Sequence, residues 1–374
     1  MRVLVCIRPG EFEYREMDAP LAGPGQAIIK IKRIGICGTD LHAFEGTQPY
    51  FNYPRILGHE LSGDLVDFDQ APGFVIGDAV TVIPYCSCGV CIACRNGRSN
   101  CCVTLSVLGV HIDGGMVEYL SVPSALLVHG QGLSYDELAM VEPFAIGAHA
   151  IRRAAVIPGE FVLVVGAGPI GLGVMESARI AGGQVIAMDI QEERLRYCRD
   201  SMQILHTVHA GIPAIDAGST AIDAATPDIS GQLRMITGGD MPTLVIDATG
   251  SRKAINDGFQ YLAHGGRYVL VGLQKGEISV SHPEFHKREA TLMSSRNATR
   301  EDFAFVMDAI VAGRIVPADF ITHRASFGGT AIGGGVFGDG DATIGEPAFV
   351  DVKEVFASWM DPKTGVIKAM VELG

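Results

Sequence analysis

The amino-acid sequence predicts an α/β protein that combines a β-rich part with a doubly wound parallel sheet. Two observations predict this fold class. Residues 1 to about 145 contain short β-forming runs interrupted by glycine and proline, whereas strand and helix patterns alternate from about residue 159 onwards. Short strands between turns are typical of a β-barrel or sandwich, and alternating strands and helices are typical of a parallel sheet covered on both faces.

The β-rich part is predicted from the segments QAIIKIKRIGI, LSGDLVDF, GDAVTVIPY and GMVEYLSVP. The next segment, SYDELAMVEPFAIGAHAIRRAAV, has apolar residues at helical spacing. Ser134 is a suitable N-cap for this helix because Glu137 follows three residues later, as in a capping box.

A glycine turn opens the predicted parallel sheet. Gly166, Gly168 and Gly171 form the pattern G-x-G-x-x-G between the strand FVLVV and a helix. One glycine makes the tight turn, one lets the backbone approach a pyrophosphate, and one lets the helix pack on the strand. Because the helix N-terminus also offers unpaired N–H groups, we expect a dinucleotide here, with Pro169 and Ile170 as further contacts.

An acidic residue beyond this turn indicates which dinucleotide is bound. Asp189 ends the next strand, 18 residues after Gly171. A carboxylate there accepts hydrogen bonds from the adenosine ribose and repels a 2′-phosphate, so the sequence predicts NAD rather than NADP. Arg194 is predicted to cover the adenine, and Thr249 and Gly272, at the ends of later strands, complete the predicted cofactor contacts.

The last part of the chain is predicted to contain one amphipathic helix, TREDFAFVMDAIVAGRI, and a final helix and strand in KEVFASWM and GVIKAMVEL. Between them lies a stretch from residue 328 to 345 with eight glycines in eighteen residues.

Composition limits the classes of partner. The net charge is −13, whereas a protein that binds nucleic acid through phosphates carries a basic face. No stretch reaches the roughly 18 apolar residues of a membrane span, and the first apolar run is too short for a signal peptide. We therefore expect no nucleic-acid or membrane partner and a cytoplasmic location.

Six of the nine cysteines lie between residues 86 and 102. In a reducing compartment, clustered cysteines bind metal more often than they form disulfides. Cys88, Cys91, Cys94 and Cys102 have the spacing C-x2-C-x2-C-x7-C, which favours a structural zinc site with four thiolates. Spacing alone does not choose between Cys102 and its neighbour Cys101. An iron–sulfur cluster or a redox pair is less well supported, since neither has its usual sequence context.

A second set of potential metal ligands is spread over three segments. These segments, GICGTDLH, LGHELSG and VEPFA, contain Cys37, Thr39, Asp40, His42, His59, Glu60 and Glu142. Each residue alone is ordinary, because buried cysteines and core histidines are common. Together, a thiolate, an imidazole and carboxylates form the donor mixture of a catalytic zinc that keeps an open position.

The order of these motifs resembles the zinc-containing medium-chain dehydrogenases over nearly the whole chain. The shared elements are GICGTDLH, GHE, GDAV, the four-cysteine lobe, EPFA, GAGPIG and DATG. The resemblance implies a GroES-like β-barrel catalytic domain at residues 1–149, with the zinc lobe at 86–102. It also implies a Rossmann NAD-binding domain at 150–298 and a completion of the catalytic domain at 299–374, with a glycine-rich insert at 328–345.

The resemblance implies two zinc ions per chain, one catalytic and one structural. Cys37, His59 and Glu142 would hold the catalytic zinc, and Glu60 would exchange with water or substrate at the fourth position. In the structural lobe of the family, the last cysteine follows asparagine by two residues, as Cys102 does here.

The resemblance also implies a route for the proton, from Thr39 through the cofactor ribose to His42. The alternative is that His42 is a surface histidine and that the proton leaves through Glu60 or water.

A closer likeness is to the polyol and sugar-acid branch, and within it to the group that oxidises hexonates such as L-galactonate. Glu142 stands where many family members have cysteine, and GVHIDGGMVEYLSVP and HPEFHKREATLMSSRNATREDF resemble that group. The expected reaction is hydride transfer from a secondary alcohol of L-galactonate or a related aldonate to NAD. Arg296 and Lys287 are candidates for binding the substrate carboxylate. The alternative is that they are solvent-exposed or contact the cofactor.

Other interpretations remain open at this point. A polyol or a 3-hydroxy amino acid could replace the aldonate. A regulator that senses NAD, or a zinc-ribbon protein that binds nucleic acid, would belong to another class, although the intact ligand set and the acidic charge speak against these two. Similar enzymes lead us to expect a homodimer or homotetramer.

Overall fold

The computed structural model describes residues 1–49, 51–211, 228–329 and 350–374. Most of the predicted glycine-rich insert, residues 330–345, lies outside these ranges. The chain divides into two compact units, one formed by Met1–Pro143 with Thr299–Gly374 and the other by Phe144–Ala298. The first division thus falls after residue 143, whereas the sequence motifs placed it after residue 149.

In the described residues the strands are numbered β1 to β18 in chain order: Arg2–Arg8, Glu11–Glu16, Gln26–Ile36, Arg55–Ile56, Glu60–Phe68, Ala79–Val82, Tyr85–Cys86, Ser106–Val107, Tyr119–Pro123, Leu127–His129, Phe161–Val165, Gln184–Asp189, His206–His209, Leu244–Asp247, Arg267–Leu270, Thr291–Ser294, Ile321–Ser326 and Lys368–Glu372. The α-helices are numbered α1 to α11: Gly38–Glu45, Ile92–Arg95, Tyr135–Ala139, Val141–Ala154, Pro169–Ile180, Glu192–Asp200, Ile229–Thr237, Arg252–Gly258, His282–Lys287, Arg300–Val311 and Val352–Val355.

The first unit is built around a mostly antiparallel sheet with the order β10-β6-β5-β3-β18-β17, in which β9 also pairs with β3. Strand β3 coincides with the predicted segment QAIIKIKRIGI. Its Ile29, Ile31 and Ile34 are at most 1% exposed, and each such side chain contributes about 1.5–3 kcal/mol by leaving water. All three side chains lie in one core, and the β3–β5 register shifts between Ile31 and Arg33, where the two-residue alternation is broken.

The carboxyl-terminal strand β18 completes this sheet. It pairs with β3 so that Ala369 lies opposite Ile36. Residues from both ends of the chain thus share one core, which also contains Phe327 and Phe356. This pairing brings the carboxyl-terminal residues beside the end of β3.

An ion network joins β3, α3, β17 and β18. Asp136 accepts hydrogen bonds from Arg33, at 2.7 Å from Nε, and from Arg324. Glu372 accepts from Arg324 and lies 3.4 Å from Arg33 Nη2. Burial alone would raise the pKa of Asp136, but Arg324 and then Arg33 outweigh it, and the pKa lies below its ordinary value.

The second unit contains six parallel strands in the order β13-β12-β11-β14-β15-β16. Its core includes Leu163, Ile186 and Val245, which lie on adjacent central strands and are fully buried. The connection order reverses between β11 and β14, where dinucleotides bind in sheets of this type. The predicted fold class, a β-rich catalytic part with a doubly wound parallel sheet, is confirmed.

Within the described ranges, no helix is both long enough and apolar enough to cross a membrane.

Candidate active site

Three of the predicted ligands come together in the first unit. The Cys37 sulfur, a His59 ring nitrogen and a Glu60 carboxylate oxygen lie within 4.8 Å of one another. Cys37 follows β3 and is the N-cap of α1, while Glu60 begins β5 and pairs with Gly35 of β3. Because β3 and β5 are paired, Cys37 and Glu60 lie close together although they are 23 residues apart in the sequence.

Asp40 lies behind the thiol and the imidazole. It is fully buried, and its carboxylate accepts hydrogen bonds from the backbone N–H of Cys37 at 2.9 Å and of Gly58 at 3.1 Å. Its Oδ1 lies 3.7 Å from Nδ1 of His59. Burial would lower the pKa of His59, but the charges of Asp40 and Cys37 outweigh it and raise that pKa well above its ordinary value.

Glu142, in the first turn of α4, has a different partner. Its carboxylate accepts a hydrogen bond from the buried hydroxyl of Tyr85. Burial, opposed by the positive charge of His59, raises the pKa of Glu142 to about 7. Glu142 is not a member of the group of three that lies within 4.8 Å, and its role as a metal ligand stays a prediction.

Lys368 also belongs to this site, although no sequence motif indicated it. This lysine begins β18, is 2% exposed, and places its Nζ 2.6 Å from Oε1 of Glu60. The same Nζ donates to Oε2 of Glu60 and, at 3.1 Å, to the carbonyl oxygen of Ile36. The available signal was a single lysine in the otherwise apolar run GVIKAMV.

Thr39 and His42 both lie on α1, which follows Cys37. Thr39 is half-buried and His42 is exposed. The Nδ1 of His42 is 3.2 Å from the Thr47 hydroxyl and 3.5 Å from the Glu45 carboxylate. The first and last residues of the predicted proton route therefore lie on one helix, and the route itself stays a prediction.

The cysteine lobe forms a second compact group. The sulfurs of Cys88, Cys91, Cys94 and Cys102 all lie within 4.8 Å of one another. The backbone N–H of Cys88 donates to the Cys102 sulfur at 3.3 Å, and this bond is the main cause that lowers the pKa of Cys102 to about 6. Cys101 is exposed and outside the group. Four converging thiols, one of them already favoured as a thiolate, have the chemistry of a structural zinc site.

The glycine turn lies at the switch point of the second unit. Gly166 has φ = +98°, and a Cβ there would lie 2.8 Å from the methyl carbon of Thr249, which follows β14. A Cβ on Gly171 would lie 1.8 Å from the Gly166 carbonyl oxygen. Only glycine allows this approach, which brings the N-terminus of α5 against the end of β11. Gly168 is the N-cap of α5, which begins with Pro169 and Ile170.

Asp189 is fixed at the end of β12. Its Oδ2 accepts from the N–H of Ala167 at 2.7 Å, and its Oδ1 accepts from Gln191 at 2.9 Å. Arg194 lies 3.8 Å from the Asp189 carboxylate and the same distance from where a Cβ on Gly168 would be. Asp189 and Arg194 therefore border the glycine turn. Gly272 follows β15 and approaches Gly250 closely, since its Cβ would lie 2.1 Å from Gly250 N.

The two candidates for binding a substrate carboxylate are both exposed. Lys287 is the last residue of α9, and Arg296 follows β16. Both belong to the second unit. Their role in substrate binding stays a prediction.

Comparison with known proteins identifies the family. Residues 23–131 match the alcohol dehydrogenase GroES-like domain, and residues 169–312 match the zinc-binding dehydrogenase domain. L-galactonate-5-dehydrogenase of Escherichia coli K12 is 46% identical over 87% of this chain and 92% of the relative. Sorbitol dehydrogenase of Halalkalibacterium halodurans is 30% identical over 84% of this chain and 89% of the relative.

A solved structure from Escherichia coli CFT073, described as a short chain alcohol dehydrogenase complexed with NADH, aligns with a TM-score of 0.81. It is 27% identical in sequence, and the alignment covers 100% of this chain and 99% of that one.

The chain belongs to the zinc-type medium-chain alcohol dehydrogenase family, oxidoreductases that act on CH–OH groups and use zinc and NAD(P). Within this family its relatives include polyol and sugar-acid dehydrogenases. The family resemblance predicted from the motifs is confirmed.

Proposed function

We propose that this protein oxidises a secondary alcohol of a sugar acid, L-galactonate or a related aldonate, with NAD as the hydride acceptor. The observation that carries the proposal is the convergence of Cys37, His59 and Glu60 in a chain that is 46% identical to an L-galactonate-5-dehydrogenase. The convergence supports the chemistry, and the similarity supports the class of substrate.

The donor set fits zinc. A thiolate, an imidazole and carboxylates are zinc ligands, and the Cys37 sulfur, a His59 ring nitrogen and a Glu60 oxygen lie within 4.8 Å of one another. In this proposal Cys37, His59 and Glu142 would hold the ion, and Glu60 would exchange with water or substrate at the fourth position. The hydrogen bond from Tyr85 orients Glu142, and the contact with Lys368 would give Glu60 a partner whenever it is not bound to the ion.

When bound, zinc supplies a Lewis acid for the alcohol and NAD supplies the hydride acceptor. The residues of the chain orient the reactants and remove the proton. Thr39 would accept the alcohol proton while giving up its own hydroxyl proton, which the ribose of bound NAD would pass to His42 for release to solvent. Histidine suits this last step because imidazole ordinarily titrates near neutral pH, and the exposed position of His42 supports the assignment. If His42 is not required, Glu60 or water carries the proton instead.

Asp189 makes NAD the preferred cofactor in this proposal. Two backbone N–H groups hold its carboxylate at the end of β12, so the side chain is oriented before the ribose arrives. Its negative charge disfavours a 2′-phosphate. Gly166, Gly168 and Gly171 allow the pyrophosphate to approach the N-terminus of α5.

The four cysteines of the lobe hold a second, structural zinc ion in this proposal. Arg296 and Lys287 bind the substrate carboxylate. The enzyme is expected to act as a homodimer or homotetramer in the cytoplasm.

A substrate screen tests the proposal. NADH formation is followed at neutral to alkaline pH with purified protein and a panel of hexonates, the corresponding hexitols and 3-hydroxy amino acids. We expect turnover with L-galactonate or another aldonate and at least about tenfold lower kcat/KM with the matching hexitol, because a charged hydrogen bond is lost. Equal activity on the hexitol would favour a polyol dehydrogenase, and no turnover with any alcohol would contradict the proposed reaction.

A further inference from the structure

We propose that Lys368 is a positioning residue that competes with the catalytic zinc for the Glu60 carboxylate and thereby sets how readily the ion and its ligands exchange. The inference rests on the proposed zinc site. It concerns a residue that lies 308 positions from Glu60 in the sequence.

The contacts of Lys368 are specific. Its Nζ binds both oxygens of Glu60 and the carbonyl oxygen of Ile36, so all three of its donors have an acceptor. The ammonium and the carboxylate are both buried, with side-chain exposures of 2% and 1%. Burial of an unpaired ammonium costs free energy. The ion pair with Glu60 therefore stabilises Lys368 in this position.

The backbone makes room for this pair. Gly35 lies opposite Glu60 in the β3–β5 register, and a Cβ on Gly35 would lie 2.1 Å from Oε2 of Glu60. Glu60 thus fills the space that a side chain at position 35 would occupy. Its carboxylate remains within 4.8 Å of the Cys37 and His59 ligand atoms while it binds Lys368.

Glu60 therefore lies between two cationic partners. Lys368 binds the Glu60 carboxylate on one side, and a zinc ion bound by Cys37 and His59 would attract the same carboxylate on the other. Removal of the ammonium would leave zinc as the main cationic partner of Glu60 and would also remove a positive charge that repels the ion. Both effects would increase the affinity of the site for zinc and would keep Glu60 at the fourth ligand position.

The test compares Lys368→Met and Lys368→Gln with the wild type. We expect each variant to release catalytic zinc to a chromogenic chelator about tenfold more slowly, the scale of effects for groups that hold metal ligands in place. Turnover should fall while NADH binding is unchanged. In the double variant Glu60→Gln/Lys368→Met, the release of zinc should no longer be slowed. Lys363→Met, an exposed lysine of the same carboxyl-terminal segment, is the matched control and should behave as the wild type.

The outcomes separate this proposal from the proposed function. Wild-type protein that binds no zinc beyond the lobe ion would contradict the zinc site itself. Wild type with two zinc ions, but variants that release zinc at an unchanged or faster rate, would overturn only the role of Lys368. Failure of both single variants to fold would assign Lys368 a purely structural role and would also overturn it.

Discussion

Oδ1 of Asp40 lies 3.7 Å from Nδ1 of His59, and both side chains are buried. Asp40 is fixed in this position by the backbone N–H groups of Cys37 and Gly58. A carboxylate behind a metal-binding imidazole orients the ring and makes it a better ligand. One short motif, CGTD, thus supplies both a candidate ligand and the group that orients the next one.

The first prediction concerns this pair. Asp40→Asn should lower zinc affinity at the catalytic site by about 10–100-fold, because the imidazole loses its charged partner. Competition with a chelator of known affinity measures the effect. Asp113→Asn is the control, since Asp113 also accepts a backbone N–H, from Ile56, but is exposed. Equal losses in the two variants would contradict a special role for Asp40.

The second prediction concerns the ligands themselves. Cys37→Ala and His59→Ala should each abolish turnover and remove one of two zinc ions per chain. NADH affinity, measured by fluorescence, should be largely kept, because the glycine turn and Asp189 belong to the other unit. Retained turnover in either variant would rule out the assignment.

The third prediction uses the adjacent cysteines of the lobe. Cys102→Ser should cost one zinc ion per chain and lower the melting temperature by more than about 5 °C, since binding of a structural metal contributes to folding. Cys101→Ser should change neither quantity, because Cys101 lies outside the group of four. Zinc analysis and thermal unfolding of both variants measure this. The reverse pattern would show that the other thiol is the ligand.

The fourth prediction concerns cofactor choice. Asp189→Ser should reduce the preference for NAD over NADP by about 10–100-fold, as expected when one or two charged hydrogen bonds are lost. Arg194 is already close to this carboxylate and would be available to a 2′-phosphate. The ratio of kcat/KM values for the two cofactors is the measurement, with Asp200→Ser as the control, an exposed aspartate at the end of α6. An unchanged ratio would remove Asp189 from this role.

The fifth prediction concerns pH and stability. Because Arg324 and Arg33 lower the pKa of Asp136 in the folded protein, their stabilising effect is fully present above its ordinary value of 3.8 and is lost as the pH falls through the folded-state pKa. Asp136→Asn should therefore cost about 1–3 kcal/mol of unfolding free energy at pH 7 and progressively less below about pH 4. Urea unfolding at several pH values measures the difference. A loss that does not depend on pH would contradict the ion network as its cause.

The local sequence was sufficient to predict those sites whose residues lie close together in the chain. The glycine turn, its strand and helix, and Asp189 lie within 29 consecutive residues, and their spacing reflects a single strand–turn–helix–strand unit. The four-cysteine group is similarly confined to a short segment. In both places the residues that must meet are close together in the chain, so a short sequence pattern is enough to predict the site.

The remaining features depended on pairing between distant segments. The β3–β5 register places Glu60 rather than Glu142 in the group with Cys37 and His59, and the β3–β18 register brings Lys368 to Glu60. Such registers are chosen by burial of whole sheet faces, so no short motif encodes them. The sequence by itself determined the family, the fold class and the donor types. Tertiary structure alone decided which donors meet and which buried charge accompanies each of them, because a buried ammonium and carboxylate are stable only where the fold brings them into contact.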